Sequence, residues 1–277
     1  MDPVVLQFLA APIAASLILT GIHAYLGVHV VERGVIFVDL SLAQIAAFGA
    51  TMAVLMPFSG GDPHHPGVYW VSLGFTFIGA ALFAGLHGHK ARIPQEAIIG
   101  ICYAVASGAS ILAMSRSSSQ AEHLQHMLVG NILAVSWPEV VSTAALYGAI
   151  GLFHYVFRRR FLLISMDPAR AAAEGLSVRL WDFLFYASFG FVVTSSVSIA
   201  GVLLVFCYLI VPSVAAMLFA EHIGARLAIG WTMGTIVSVL GIWLSLVWDL
   251  PTGATMVVTF GMVLTLLSVL KLAIRKS

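Results

Sequence analysis

The chain has 277 residues, of which 60% are hydrophobic and only 9% charged, and its mean hydropathy is +1.02. A soluble domain usually carries about 25% charged residues, so this composition excludes a water-facing globular fold. The formal net charge of +1 offers no basic surface for nucleic acid. Cys102 and Cys207 both fall in apolar runs, which predicts neither a disulfide nor a Cys-based metal site.

Apolar runs near the ~20 residues needed to cross a bilayer recur along the chain, which predicts an all-α, polytopic transmembrane helical bundle. The first run, about Val4 to Leu26, lacks the basic region and cleavage site of a signal peptide and is kept as structure. A turn over Gly27 to Arg33 leads to a second span, Gly34 to Met56. The Gly- and Pro-rich stretch Pro57 to Val68 reads as a loop. The third and fourth spans are Tyr69 to His89 and Glu96 to Met114, and His126 to Trp137 is too short to cross. The fifth span, Pro138 to Phe157, ends at Arg158-Arg159-Arg160, and a polar connection occupies Phe161 to Trp181. Asp182 to Phe219 is too long for one crossing and is split near Ser198 to Gly201 by a tight turn. Leu227 to Trp248 and Ala254 to Leu272 complete about nine spans, with eight to ten as the range.

Basic residues near span ends mark the cytoplasmic side. With nine spans, twelve of the thirteen Lys and Arg residues fall on one side, and Arg116 alone falls opposite. The N-terminus is then outside and the C-terminus cytoplasmic, and residues 1–277 form one transmembrane domain with a cytoplasmic segment at about 161–181.

The second span carries Asp39 and Gln44 in an apolar run. A carboxylate there is expensive and usually faces a cavity or a partner. A buried carboxylate bonded to a neighbouring helix is the structural alternative. His64 and His65 beside Asp62, and His123 and His126 beside Glu122, form outward groups with metal-ligand chemistry. Loop-tip His is also ordinary solvated sequence, and this spacing makes no tetrahedral site by itself. His23 and His154 lie within spans, where hydrogen bonding to adjacent helices accounts for them. Asp167 to Leu176 reads as a short capped helix: Asp167 at its N-cap, Pro168 in its first turn and Gly175 at its end.

These segments also resemble the permease subunit of the metal-type ATP-binding-cassette importers, which take up zinc, manganese or iron. Asp167, Pro168, Ala171, Gly175 and Leu176 match that family's Asp-Pro-x-x-Ala-x-x-x-Gly-hydrophobic coupling pattern without a gap. Gly201 to Ala216, with Pro212, is similar to its Gly-Ala-Leu-Leu-Val…Ile-Pro-Ala-Ala-x-Ala run. Gly130-Asn131-Ile132-Leu133 resembles its Gly-Asp-Ile-Leu, and Asp249-Leu250-Pro251-Thr252-Gly253-Ala254 its Asp-x-Pro-x-Gly-Ala. The second span departs from the pattern. The family carries Gly-Asp-x-x-x-His there, with a Gly five residues after the His. Gly49 matches that Gly, which places Gln44 at the His and leaves Asp39 one residue before the Asp.

The resemblance implies a divalent-metal importer, with zinc first and manganese or iron next. A second copy of the chain completes the pathway, two ATP-binding subunits engage the coupling segment, and an extracytoplasmic metal-binding protein delivers the ion. The chain itself binds no cofactor. It has no P-loop, so it does not bind ATP that way and its energy source is a partner or an ion gradient, and the lack of H-E-x-x-H argues against a zinc protease of that type. The resemblance implies a permease that is not itself an enzyme, with ATP on the partner subunit. The implied location is the cytoplasmic membrane of a bacterium. The alternatives are a permease for a siderophore- or cobalamin-like metal chelate, a membrane-embedded enzyme using Asp39 and nearby His residues, and a gradient-driven carrier.

Overall fold

The computed structural model describes residues 3–62, 65–86, 94–114 and 132–276, and no strand occurs among them. Among the described residues there are ten α-helices: α1 (Pro3–Glu32), α2 (Val38–Val54), α3 (Pro66–Leu86), α4 (Gln95–Met114), α5 (Trp137–Val156), α6 (Arg158–Met166), α7 (Pro168–Ala173), α8 (Val178–Phe219), α9 (Ile223–Trp248) and α10 (Thr252–Lys276). Six of them, α1, α3, α4, α8, α9 and α10, are long and apolar enough to cross a membrane. The pair α5 and α6, bent by 75° at its junction, makes a seventh candidate, and α2 is a shorter apolar helix of 17 residues.

Two boundaries differ from the sequence reading. The turn expected at Gly27 to Arg33 does not form there: α1 continues to Glu32 and the chain turns over 33–37, with Gly34 at φ +67°. Gly27 is a packing residue. A Cβ at this position would collide with the Leu209 carbonyl and the Ser213 hydroxyl of α8. A small residue that lets two backbones approach is a recurring device of membrane helices, and it reads in a sequence like a turn signal. The expected polar connection over Phe161 to Trp181 is mostly helical, as α6, α7 and the start of α8.

Helix α8 has 42 residues, about 63 Å at 1.5 Å per residue, which is twice a hydrocarbon core. Its helical geometry is interrupted at Gly201 (φ 75°, ψ 161°), inside the window expected for a turn. Those dihedrals are essentially confined to glycine.

The chain divides into two compact units. The first comprises Met1–Val31, Leu128–Gly151 and Ser198–Ser277. In it α9 packs on α10, with Gly241 against Met256, and the first half of α1 packs Ala11 and Ala15 on Val140 of α5. The buried Tyr208 ring meets Phe260, and its hydroxyl accepts from Ser238 Oγ at 3.3 Å. The second unit comprises Glu32–Met127 and Leu152–Val197. There α2 packs on both α3 and α4, and Ser72 Oγ of α3 donates to the Ala46 carbonyl of α2 at 2.7 Å. Nearly every residue of interest for function lies in this second unit.

Candidate metal pathway and coupling segment

Because α2 begins only at Val38, Asp39 stands in its first turn, not deep within the span expected from Gly34. A carboxyl group there is favoured by the partial positive charge of a helix N-terminus. It has little else. Asp39 is 1% exposed, and neither carboxyl oxygen has a hydrogen-bond partner among the described residues. The Ser41 hydroxyl, two residues on and so about 200° around the helix, is also buried with no hydrogen-bond partner among the described residues. Buried polar groups are nearly always paired, so the orphaned oxygens of Asp39 call for an explanation.

Gln44, one turn further along α2, is 9% exposed. Asp39 and Gln44 are five residues apart, about 140° around a helix. Since α2 is regular from Val38 to Val54, it does not turn both groups toward one point. Gly49, the residue that set this register, lies close against Phe75 and Ser72 of α3.

Sequence reading passed over Glu96. Its Oε1 accepts the Phe37 backbone N–H at 2.9 Å, so α4 reaches the N-terminus of α2, and its Oε2 is buried without a partner. Its position at the start of the fourth span was visible, but a pairing 59 residues away has no local signature. The groups at this end of α2 are thus oxygen donors: carboxyl groups, a hydroxyl and a carboxamide.

The segment after α6 is built from local bonds. Asp167 Oδ1 accepts the Arg170 N–H at 2.9 Å, and Pro168 occupies the first helical turn. At the other end Gly175 takes φ +80° while its N–H bonds the Ala172 carbonyl and the Leu176 N–H bonds the Ala171 carbonyl, both at 3.0 Å. This double closure needs a left-handed residue, which glycine adopts at no steric cost. Ala171 is fully buried beneath α7, while Asp167, Pro168 and Gly175 are exposed and Leu176 is half-buried. On the outer face Arg170 Nε donates to Glu174 Oε1 at 2.8 Å, and this bond pushes the guanidinium pKa up. The short helix therefore presents a rigid, capped, solvent-facing surface.

Of the four outer histidines, His65 alone is among the described residues. His65 Nδ1 accepts the Gly67 N–H at 3.1 Å and its ring lies 5.6 Å from Phe58, which gives it a role in the loop. His64, His123 and His126 lie outside the described residues, as do His87 and His89. Among the described residues no three His, Cys, Asp or Glu side chains are grouped to hold a metal ion. His23 Nδ1 is 2.8 Å from the Leu19 carbonyl of its own helix, and His154 Nε2 is 2.8 Å from Ser188 Oγ.

The family model of the ABC 3 transport family matches residues 5–272. The chain belongs to the ABC 3 transport family. The resemblance drawn from its motifs to the permeases of metal-type ATP-binding-cassette importers is thereby borne out. This ABC 3 chain is 24% identical over 255 residues to the manganese transport system membrane protein MntC of Listeria monocytogenes, covering 91% of this chain and 86% of that one. It is 25% identical over 257 residues to a probable iron transport system membrane protein of Haemophilus influenzae, covering 93% and 91%. A solved structure, PsaBC from Streptococcus pneumoniae in complex with Fab, superposes with a TM-score of 0.78 at 22% identity over 94% of this chain and 91% of that one. At that identity the likeness establishes the fold.

Proposed function

We propose that the chain is the permease subunit of an ATP-driven importer of divalent metal ions, with manganese as its first cargo. The observation that carries this reading is the buried, unpartnered Asp39 in the first turn of α2, in a chain of the ABC 3 transport family. The choice among metals follows from donor chemistry. Carboxylate and carbonyl oxygens suit Mn, whereas imidazole suits Zn, Cu, Fe and Ni. The sequence put zinc first on family grounds, but Gln44 replaces the family's imidazole, and two of the relatives are named for manganese and iron.

Two copies, related by a two-fold axis, bring their α2 helices to one pathway, so that the Asp39 of one copy and the Gln44 of the other contribute to a single ion. Two ATP-binding subunits dock on α7, and an extracytoplasmic binding protein delivers the metal. The chain crosses the cytoplasmic membrane nine times, counting α2 and the bent α5 and α6 pair as one crossing each and α8 as two. Its N-terminus is outside. ATP binding moves the permease between outward- and inward-open states only through the partners' different affinity for the two.

The test is uptake into proteoliposomes holding the permease with the ATPase subunits that co-purify with it. Radioactive manganese(II), zinc(II), iron(II) and an iron–siderophore chelate are offered separately. ATP-dependent accumulation of manganese above the others is expected. Accumulation of the chelate alone would replace this reading with a chelate permease, and accumulation driven by an ion gradient without ATP would make the chain a secondary carrier.

A further inference from the structure

Arg33 is placed where few arginines are. It stands in the turn between α1 and α2, yet its side chain is 3% exposed. Nη1 lies 2.5 Å from Oδ1 of Asp182, itself fully buried in the second turn of α8. Nε donates to the Ser165 hydroxyl at 2.9 Å, at the end of α6. The guanidinium carbon lies 4.1 Å from the centre of the Phe185 ring and 5.8 Å from that of Tyr186. The Tyr186 hydroxyl is in turn 3.4 Å from Gln95 Nε2 of α4, which also reaches the Phe83 carbonyl of α3 at 3.3 Å.

One planar cation thus ties together the α1–α2 turn, the end of α6 and the start of α8. An apolar cluster of similar volume would hold these elements at least as firmly, so stability alone does not account for a buried ion pair. What the guanidinium adds is orientation. Its rigid fork fixes the direction of each partner, which neither Lys nor a hydrocarbon does. The sequence positions give that orientation a purpose. Ser165 is two residues before Asp167, the cap of α7. Arg33 is six residues before Asp39, and Gly34 between them is in the left-handed region (φ +67°).

We propose that Arg33 is the positioning residue that makes the coupling segment and the N-terminus of α2 move as one body, so that displacement of α7 by the ATPase subunits is delivered to Asp39. This rests on the permease reading above. The chain of transmission is short and physical: α7 to the end of α6, Ser165 to Arg33, and Arg33 through the turn to the first turn of α2. Asp182 holds the charge of Arg33 in place and keeps α8 in register with that movement.

Two measurements test it. In proteoliposomes of the whole complex with manganese(II), the number of ions taken up per ATP hydrolysed is compared across variants. Arg33→Gln and Asp182→Asn are expected to assemble and hydrolyse ATP while this ratio falls about tenfold, within the usual range of a coupling constant. Ser165→Ala, which removes only a hydroxyl, is expected to lower it less, Arg33→Lys to restore little, and the exchange Arg33→Asp with Asp182→Arg to recover part of it. A scarcity of folded protein would lower uptake and hydrolysis together and leave the ratio alone. If the buried-charge variants do not assemble, an unchanged ratio in Ser165→Ala overturns the proposal.

The second measurement does not depend on the cargo. Spin labels at Ala169 and at the exposed Phe37 report the distance between the coupling segment and the start of α2 with and without ATP. The wild-type distance is expected to stay constant and that of Arg33→Gln to change with nucleotide. A wild-type distance that changes with ATP, or an Arg33→Gln distance that does not, defeats the idea. A complex that transports no metal but keeps the wild-type distance constant counts against the permease reading and not against this one.

Discussion

Asp39 is a group that the fold would be more stable without. Its carboxyl is buried with no hydrogen-bond partner among the described residues. Leaving a buried polar group unsatisfied costs about 1–3 kcal/mol, more when it is charged. The helix N-terminus returns about 0.3–1 kcal/mol of that. Replacement by Leu removes the orphaned oxygens and forfeits the dipole term, and the extra volume takes back part of the gain. The balance is a stabilisation of about 1 kcal/mol, which for a chain of this size raises the melting temperature by roughly 2–4 °C. Asp39→Asn keeps an unsatisfied polar group of the same shape and is expected to melt close to wild type. Both variants are expected to lose manganese uptake by at least about tenfold, the equivalent of ~1.4 kcal/mol of ion binding. The assays are thermal melting of the purified permease and ATP-driven uptake in proteoliposomes. Wild-type uptake by Asp39→Asn would refute the reasoning. So would a clear drop in melting temperature for both variants, because it would show that the carboxyl is satisfied and structural.

Four further outcomes follow from the same structure. Gly27→Ala should lower the melting temperature, since its Cβ meets the Leu209 backbone and overpacking costs about 1–3 kcal/mol; Gly21→Ala in the same helix, with open space around it, should be neutral or slightly stabilising. In a chain with Cys102 and Cys207 replaced by Ser, a cysteine at the exposed Asp62 should react with an impermeant thiol reagent in intact cells and one at the exposed Glu221 should not; the reverse pattern would invert the nine-crossing topology. Ala171→Arg, which forces a charge under α7, and Gly175→Pro, which cannot take φ +80°, should uncouple ATP hydrolysis from uptake or abolish ATPase binding in pull-down, while wild-type uptake would reduce α7 to a connector. Gln44→His should retain uptake in the proteoliposome assay and raise zinc relative to manganese, because it adds an imidazole to an oxygen donor set.

What could be read from the sequence was what is local. The cap at Asp167 and the closure at Gly175 involve partners three to five residues apart, so residue types and spacing were enough to foresee them. The break in α8 was foreseeable because the apolar stretch Asp182 to Phe219 is too long for one crossing of a bilayer. Gly27 was misread because turn glycines and packing glycines look alike until the neighbouring helix is known. The depth of Asp39 was misjudged for a related reason: the start of α2 is set by the conformation of the 33–37 turn, not by hydropathy. Arg33 with Asp182, and Glu96 with Phe37, are pairings across 149 and 59 residues that no periodicity reveals.

Two buried aspartates of the second unit, Asp182 and Asp39, show how the same chemistry serves opposite ends. Asp182 faces a guanidinium clasped between a hydroxyl and two aromatic rings, an arrangement that holds the α1–α2 turn, α6 and α8 in one orientation. Asp39 has no hydrogen-bond partner among the described residues, and α3 and α4 hold it there through their packing on α2. A pathway needs the second kind. An ion must be held long enough to leave water and weakly enough to go on, so a complete, tightly bonded ligand set would trap it. On the proposed reading, incomplete oxygen donors on each of two copies, completed only when an ion arrives between them, would meet both demands. The unsatisfied groups would then be the standing cost of a site that remains open, and the proposed Arg33 clasp would bring that site under the control of the coupling segment.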